Sequence, residues 1–211
     1  MIVEILWSQS GFNSFPKEGG TPRNLFSFKD GTGNPNVSDN KAMNEVVWAD
    51  SGWMQGGSYL VARIIQMHLE TWDRTSLKDQ EATFGRQRDS GAPIGKQKEF
   101  DSFDVEEKDI NGAYIIPDTS HVHLARKSGT QMLRRSFSYA SGVLTKTGTH
   151  DAGLLFISFQ KDPAQFIKVQ NSLGRMDKMN EYITHRGSAL FACFPGVQKG
   201  SYLGEALFNA L

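Results

Sequence analysis

Cysteine is nearly missing from this chain: Cys193 stands alone, so no intrachain disulfide can brace the fold. It lies in the apolar run Ala189 to Phe194, where a small buried strand residue is the plain reading. An excess of one charge is missing too. Lys plus Arg and Asp plus Glu number 23 each, so no net field draws the protein to nucleic acid or to an anionic membrane. No apolar stretch approaches the roughly 18 residues of a membrane span. Met1 to Trp7 has neither a basic leader nor a cleavage signature, so the reading is a soluble chain with no address of its own. No internal repeat, heptad or low-complexity tract divides it. With 38% hydrophobic and 22% charged residues over 211 positions, a single unit with a substantial core is affordable.

Residues 8 to 57 are rich in Gly, Ser, Asn and Pro and read as a long irregular lead-in, with one short helix around Asn40 to Val47. Irregular stretches of that length in a compact domain bind something or belong to a larger structure. Tyr59 to Met67 is β-branched and mostly apolar, the pattern of a strand covered on both faces. Ser76 then caps a helix over Leu77 to Phe84 that stops near Gly85. A polar connection from Arg86 to about Asp118 carries Asp104, Glu106, Glu107 and Asp109, read as a solvated loop. Strands over Met132 to Tyr139 and Leu154 to Gln160 follow. Asp162-Pro163 opens a helix with Phe166, Val169 and Leu173 on one face, and a last strand runs from Ser188 to Phe194. The order β-α-β-β-α-β is that of a ferredoxin-like α+β sandwich, with residues 1–57 as lead-in and 58–211 as the domain.

Three features could carry chemistry. Asp30 sits among Gly31, Thr32 and Gly33, residues small enough for the backbone to approach a ligand; the bland alternative is a tight turn with Asp30 making a local Asx bond. His121 and His123 are two apart and read as lying just before a strand, where extended backbone would put both on one face as a zinc pair. Nothing completes that pair, since His68, His150 and His185 show no ligand spacing with a second partner, whereas a lone histidine is chemically sufficient as an axial haem ligand because the porphyrin supplies the other four nitrogens. Arg134 and Arg135 point to opposite faces of their strand, so one guanidinium is covered and needs an anion, whether a cofactor carboxylate, a peroxide-derived oxyanion or a protein carboxylate.

Taken together these segments resemble a known family. Thr21-Pro22-Arg23-Asn24-Leu25 through Pro35 is similar to the signature loop of dye-decolourising peroxidases, in their deferrochelatase-like branch. His68 to Leu77, Gly91-Ala92-Pro93-Ile94-Gly95, His121 with Leu124-Ala125, Leu133-Arg134-Arg135 and Gly153 to Phe156 resemble that branch in the same order. The resemblance implies haem b as cofactor, with Gly31, Thr32 and Gly33 against it and His121 as the iron's axial ligand. It further implies Asp30 and Arg134 on the opposite, peroxide-handling face and Asp177 bonded to the far nitrogen of the axial imidazole; Glu181, one helical turn on, is the alternative to Asp177. The implied activity is oxidation of dyes, phenols or porphyrinogens by hydrogen peroxide. Its alternatives are release of iron from haem with the tetrapyrrole intact, or a non-catalytic haem-binding fragment.

Two departures from the family pattern bear on this. Ser27 stands where the loop motif has its first glycine, which is expected to tighten or redirect the loop presenting Asp30. Family members also carry two ferredoxin-like units, and this chain is expected to begin just before the second. Any export signal would then lie outside it, and that branch is often exported by the twin-arginine route. A lone sheet has a face left to bury, so a homodimer or larger assembly is expected.

Overall fold

A computed structural model describes residues 4, 5, 7–14, 16, 20–174 and 176–211. Its framework is an antiparallel sheet begun by β1 (Ser58–Met67), whose β-branched run supplies the strand's side chains. Among the described residues before β1, the lead-in forms α1 (Asn40–Val46), capped by the Asp39 side chain, a 3-10 turn over Gly52–Met54, and isolated bridges pairing Phe12 with Ser138 and Arg23 with Lys29. After β1 come α2 (Leu69–Asp73), α3 (Leu77–Phe84) and α4 (His121–Lys127). Then follow β2 (Leu133–Arg134), β3 (Phe137–Val143), β4 (His150–Gln160), α5 (Pro163–Leu173), β5 (Ile183–Cys193) and α6 (Glu205–Phe208).

β4 and β5 flank β1, and β2 and β3 both pair with the far side of β4. All these pairings are antiparallel, which gives the ferredoxin-like topology. The expected strand from Met132 to Tyr139 is assigned as two short strands, β2 and β3, yet both pair with β4 in one register and the Arg135 N–H between them bonds the Ile157 carbonyl at 2.8 Å. α3 is capped by Ser76 and closed by Gly85 at φ +83. A Cβ on Gly85 would come within 2.8 Å of Ser120 Oγ, so this glycine both ends α3 and admits the start of α4.

The sheet's two faces differ. Arg63, Ile65 and Met67 of β1, with Leu154 and Phe156 of β4, face a cavity roofed by α4 and α5. α5 begins with a capping box on Asp162 and Gln165, and its stripe of Phe166, Val169 and Leu173 lines that cavity. The helix buries no residue fully because its apolar side borders open space instead of a packed layer. Leu60, Ala62 and Ile64 alternate onto the other face with Leu155 and Ile157, and all of them stay partly exposed. The main buried cluster lies beside the cavity: Phe26, Phe28, Met67, Trp72, Phe84 and Met179. Among the described residues no helix is long and apolar enough to cross a membrane.

Candidate functional site

The cavity between sheet and helices measures about 620 Å³, within the usual range for sites that engulf an organic ligand. Asp30, Gly31, Thr32, Gly33, His121, Arg134 and Asp177 all line it. The chain thus brings the residues that the family resemblance implies for the site to one hollow, while His123, Arg135 and Glu181 do not line it.

His121 opens α4, which corrects the expected placement before a strand. Ser120 is the N-cap and Leu124, Ala125, Arg126 and Lys127 favour helix, which outweighs β-branched Val122. On a helix, positions two apart diverge by about 200°, so the extended-strand pairing of His121 with His123 does not occur. His123 is 1% exposed and its Nδ1 lies 3.2 Å from the Ile116 carbonyl, a core hydrogen bond. Among the described residues no cluster of His, Cys, Asp or Glu could hold a metal by itself.

His121 Nδ1 is 2.7 Å from Asp177 Oδ2, while Asp177 Oδ1 accepts the Met179 backbone N–H at 2.9 Å. One carboxylate oxygen therefore caps the turn at Lys178–Glu181 and the other fixes the imidazole ring. Asp177 is buried, whereas Glu181 is exposed and makes no such contact. His121 Nε2 has no hydrogen-bond partner among the described residues and is the ring nitrogen open to a ligand.

The Asp30 loop starts from a three-residue hairpin. Asn24 N–H bonds the Phe28 carbonyl at 3.0 Å and Ser27 N–H the Asn24 carbonyl at 2.9 Å, with Ser27 at φ +67. That left-handed position usually belongs to glycine. Phe26 and Phe28, each 1% exposed, are driven into the aromatic cluster with Trp72 and Phe84, which turns Ser27 outward and holds its unfavourable φ. The serine at this position carries backbone strain.

Asp30 makes no Asx bond; its Oδ1 lies 3.8 Å from an Arg134 guanidinium nitrogen, beyond hydrogen-bond length. Both groups are therefore free to bind a small molecule placed between them. Asn34 holds this geometry by donating to the Arg134 carbonyl at 2.8 Å and accepting the Arg134 N–H at 3.0 Å. Gln131 adds a bond to the Gly33 carbonyl at 2.9 Å. On the loop's other flank Glu99 accepts from Thr21, from Thr32 at 2.8 Å and from Lys29 at 2.5 Å. Burial pushes the Glu99 carboxyl up, but donation from Lys29, Thr21 and Thr32 outweighs it and holds the pKa below its usual value.

Sequence reasoning missed Glu99, Asn34 and the cavity's other cations. Arg63 was detectable, because it is the one charge in an otherwise apolar strand. It donates to Gln170 at 2.5 Å and Ser188 at 2.8 Å, and burial lowers its pKa. Burial, then the Arg63 charge, lowers that of neighbouring His185. Arg86 and Arg126 come from the irregular connection and the end of α4, where no local pattern marks a lining residue.

Residues 21–198 match the family model of the Dyp-type peroxidase, C-terminal. The chain is 41% identical over 225 residues to a deferrochelatase of Yersinia pestis, covering 99% of this chain and 51% of that protein. A deferrochelatase of Shigella flexneri is 40% identical over 226 residues, at 99% and 52% coverage. Among solved structures, ferric DtpA from Streptomyces lividans superposes with a TM-score of 0.84 at 36% identity, covering 94% of this chain and 56% of that one. A DyP-type peroxidase from Cellulomonas bogoriensis gives 0.83 at 34% identity, with 93% and 56% coverage. The chain spans about half the length of the curated relatives it matches.

Proposed function

The chain belongs to the Dyp-type peroxidase family, and from that premise we propose that it is a haem-dependent peroxidase acting on hydrogen peroxide and a small organic reductant. The observation that carries this reading is the convergence of a carboxylate-held imidazole and a separated Asp30–Arg134 pair on one large, mainly apolar cavity. The cavity fits the cofactor. An apolar helix stripe left facing empty space asks for a broad apolar ligand, and lining guanidiniums without acidic partners ask for an anionic one. Haem b meets both demands. His121 Nε2 would hold its iron, with Gly31, Thr32 and Gly33 near its edge. Bound there, haem would supply the one-electron oxidising chemistry.

The protein's own part is proton handling and charge. Asp30 would take a proton from hydrogen peroxide and return it to the departing oxygen, so that one carboxylate serves as base and then as acid. Arg134 would offset the negative charge that grows as the O–O bond breaks. Asp177, by accepting from His121 Nδ1, makes the imidazole a stronger donor at Nε2 and fixes its tautomer. In this reading the lead-in of residues 1–57 and the domain of 58–211 work as one unit, since Asn34 ties the Asp30 loop to β2. The partly exposed face bearing Leu60, Ile64 and Ile157 would be covered in a homo-oligomer, which sedimentation would reveal as a mass above that of one chain.

The relatives' name favours a second reading, release of iron from haem. Both readings are tested on haemin-loaded protein with peroxide and a phenolic dye. Peroxidase function predicts turnover that drops by roughly 10²–10⁴-fold in Asp30→Asn, with the haem spectrum retained. Fluorescent iron-free porphyrin appearing in place of oxidised dye would favour iron release. Turnover indifferent to Asp30→Asn would refute the proposed role.

A further inference from the structure

The turn that leads into Asp30 is held from outside the cavity. Arg23 does not line the cavity, and among the described residues no carboxylate lies within salt-bridge distance of it. Its guanidinium donates instead to three main-chain carbonyls: Ser27 at 2.7 Å, Arg88 at 2.5 Å and Asp89 at 2.6 Å. Two of these bonds leave Nη1 and one leaves Nη2, so the planar fork itself fixes their mutual geometry, which a compact ammonium does not reproduce.

Two of the three carbonyls belong to a turn anchored on α3. Glu81 accepts the Arg88 N–H at 2.9 Å, and Gln80 accepts from the Arg88 guanidinium at 3.1 Å. The Gln87 N–H bonds the Ala92 carbonyl at 2.8 Å and closes that turn. Gly91, at φ +76, packs so near the hairpin that a Cβ there would come within 2.6 Å of Lys29 Cδ. The third carbonyl is that of Ser27, the residue held at φ +67. Arg23 therefore joins the strained tip of the hairpin to a platform fixed by a helix.

The link from there to Asp30 is short. Arg23 pairs with Lys29 as an antiparallel bridge, and the next pair along is Asp30 with Pro22, whose carbonyl accepts the Asp30 N–H at 2.8 Å. Opening or slipping the turn moves the Asp30 backbone directly. Asp30 Oδ1 stands 3.8 Å from the Arg134 guanidinium, and a misplacement of about 1 Å at a reacting group costs roughly 10²-fold in rate.

We propose that Arg23 is a positioning residue for Asp30: it holds Ser27 in its left-handed turn against the α3 platform and thereby sets where the Asp30 carboxylate stands opposite Arg134. The effect on turnover rests on the peroxidase reading, whereas the hold on the loop needs no cofactor. Because Arg23 opposes the strain of a serine at positive φ, a glycine at position 27 makes it less necessary.

Two measurements test this. Hydrogen exchange on the 211-residue chain without haemin reads the Asp30 amide, and kinetics on haemin-loaded protein read kcat/KM for hydrogen peroxide. Arg23→Lys keeps the charge and loses the fork; it should speed Asp30 amide exchange by roughly tenfold or more while the β1 amides stay protected. It should lower kcat/KM by roughly 10–100-fold with haemin affinity and spectrum retained. Arg23→Gln should lose at least as much, and adding Ser27→Gly to Arg23→Lys should recover about half of each loss on a logarithmic scale. Far-UV dichroism checks each fold, and Arg23→Lys carries the test if Arg23→Gln does not fold. Asp30 exchange unchanged in both Arg23 variants, acceleration spread equally over the β1 amides, faster exchange with turnover untouched, or no recovery with Ser27→Gly would each overturn the proposal. The two readings fail separately. Turnover indifferent to Asp30→Asn removes the peroxidase role of that carboxylate, while exchange at the Asp30 amide still decides whether Arg23 holds the loop.

Discussion

Replacing Glu99 with glutamine changes one charge and very little shape, at a point where three donors from the Asp30 loop region converge. The amide oxygen can still accept from Thr21 and Thr32. Its NH₂ group, however, would face the Lys29 ammonium, now 2.5 Å from Glu99 Oε2, and donor would meet donor. Removing one partner of a buried ion pair costs about 3–5 kcal/mol. Lys29 is 20% exposed and Glu99 8%, so water partly rescues the lysine and about 2–3 kcal/mol is the expected loss. Urea denaturation should register this as a midpoint lowered by about 1 M. The pH dependence gives a second signature. The folded pKa of Glu99 is held below the usual 4.5, so the unfolded chain takes up the proton first. The stabilisation is thus complete above about pH 4.5 and is lost as pH falls through the lower folded value. The gap between wild type and Glu99→Gln should narrow on that acid side, and adding Lys29→Met to the Glu99→Gln variant should recover part of the loss. A cost under about 0.5 kcal/mol, or a gap that is constant on acidification, would refute the reasoning.

Ser27→Gly removes the left-handed penalty of about 1 kcal/mol and gives part of it back through the freer unfolded chain, so a gain of about 0.5 kcal/mol in urea denaturation is expected at this exposed residue. A loss there would mean that the serine hydroxyl contributes a bond of its own. Asp177→Asn should weaken haemin binding or peroxide turnover by roughly 10–100-fold, as loss of a partner behind a ligating histidine does. Glu181→Gln should leave both unchanged, and comparable losses in the two variants would contradict the assignment to Asp177.

The fold was readable in the sequence wherever local rules and packing agree. Ser76 and Gly85 bracket α3, Asp162-Pro163 opens α5, and the apolar run of β1 is a strand. It was unreadable where they compete. At His121-Val122-His123 the short segment and its β-branched centre suggest extended backbone, yet the Ser120 cap and the seat against Gly85 make it a helix. At Arg134 the strand's outer edge has no neighbouring strand among the described residues, and the Asn34 side chain takes both the Arg134 N–H and its carbonyl, a pairing from 100 positions away that no local pattern announces. Residues proposed to act by their chemical identity, such as Asp30, His121 and Arg134, sit in recognisable local sequence. Residues that act by arriving from far away do not. Glu99 reaches the loop from 67 positions beyond Thr32, and Arg126 meets Phe103 across an irregular connection, so only the tertiary structure reveals their part.

The account turns on His121 Nε2 as the ligand of a cavity-bound iron, and a visible-absorption titration with haemin asks this directly. Wild type and His185→Gln, which alters the cavity's other imidazole, should show a saturable Soret shift, and His121→Ala should show none. A shift that survives His121→Ala, or one that disappears with His185 instead, would contradict it.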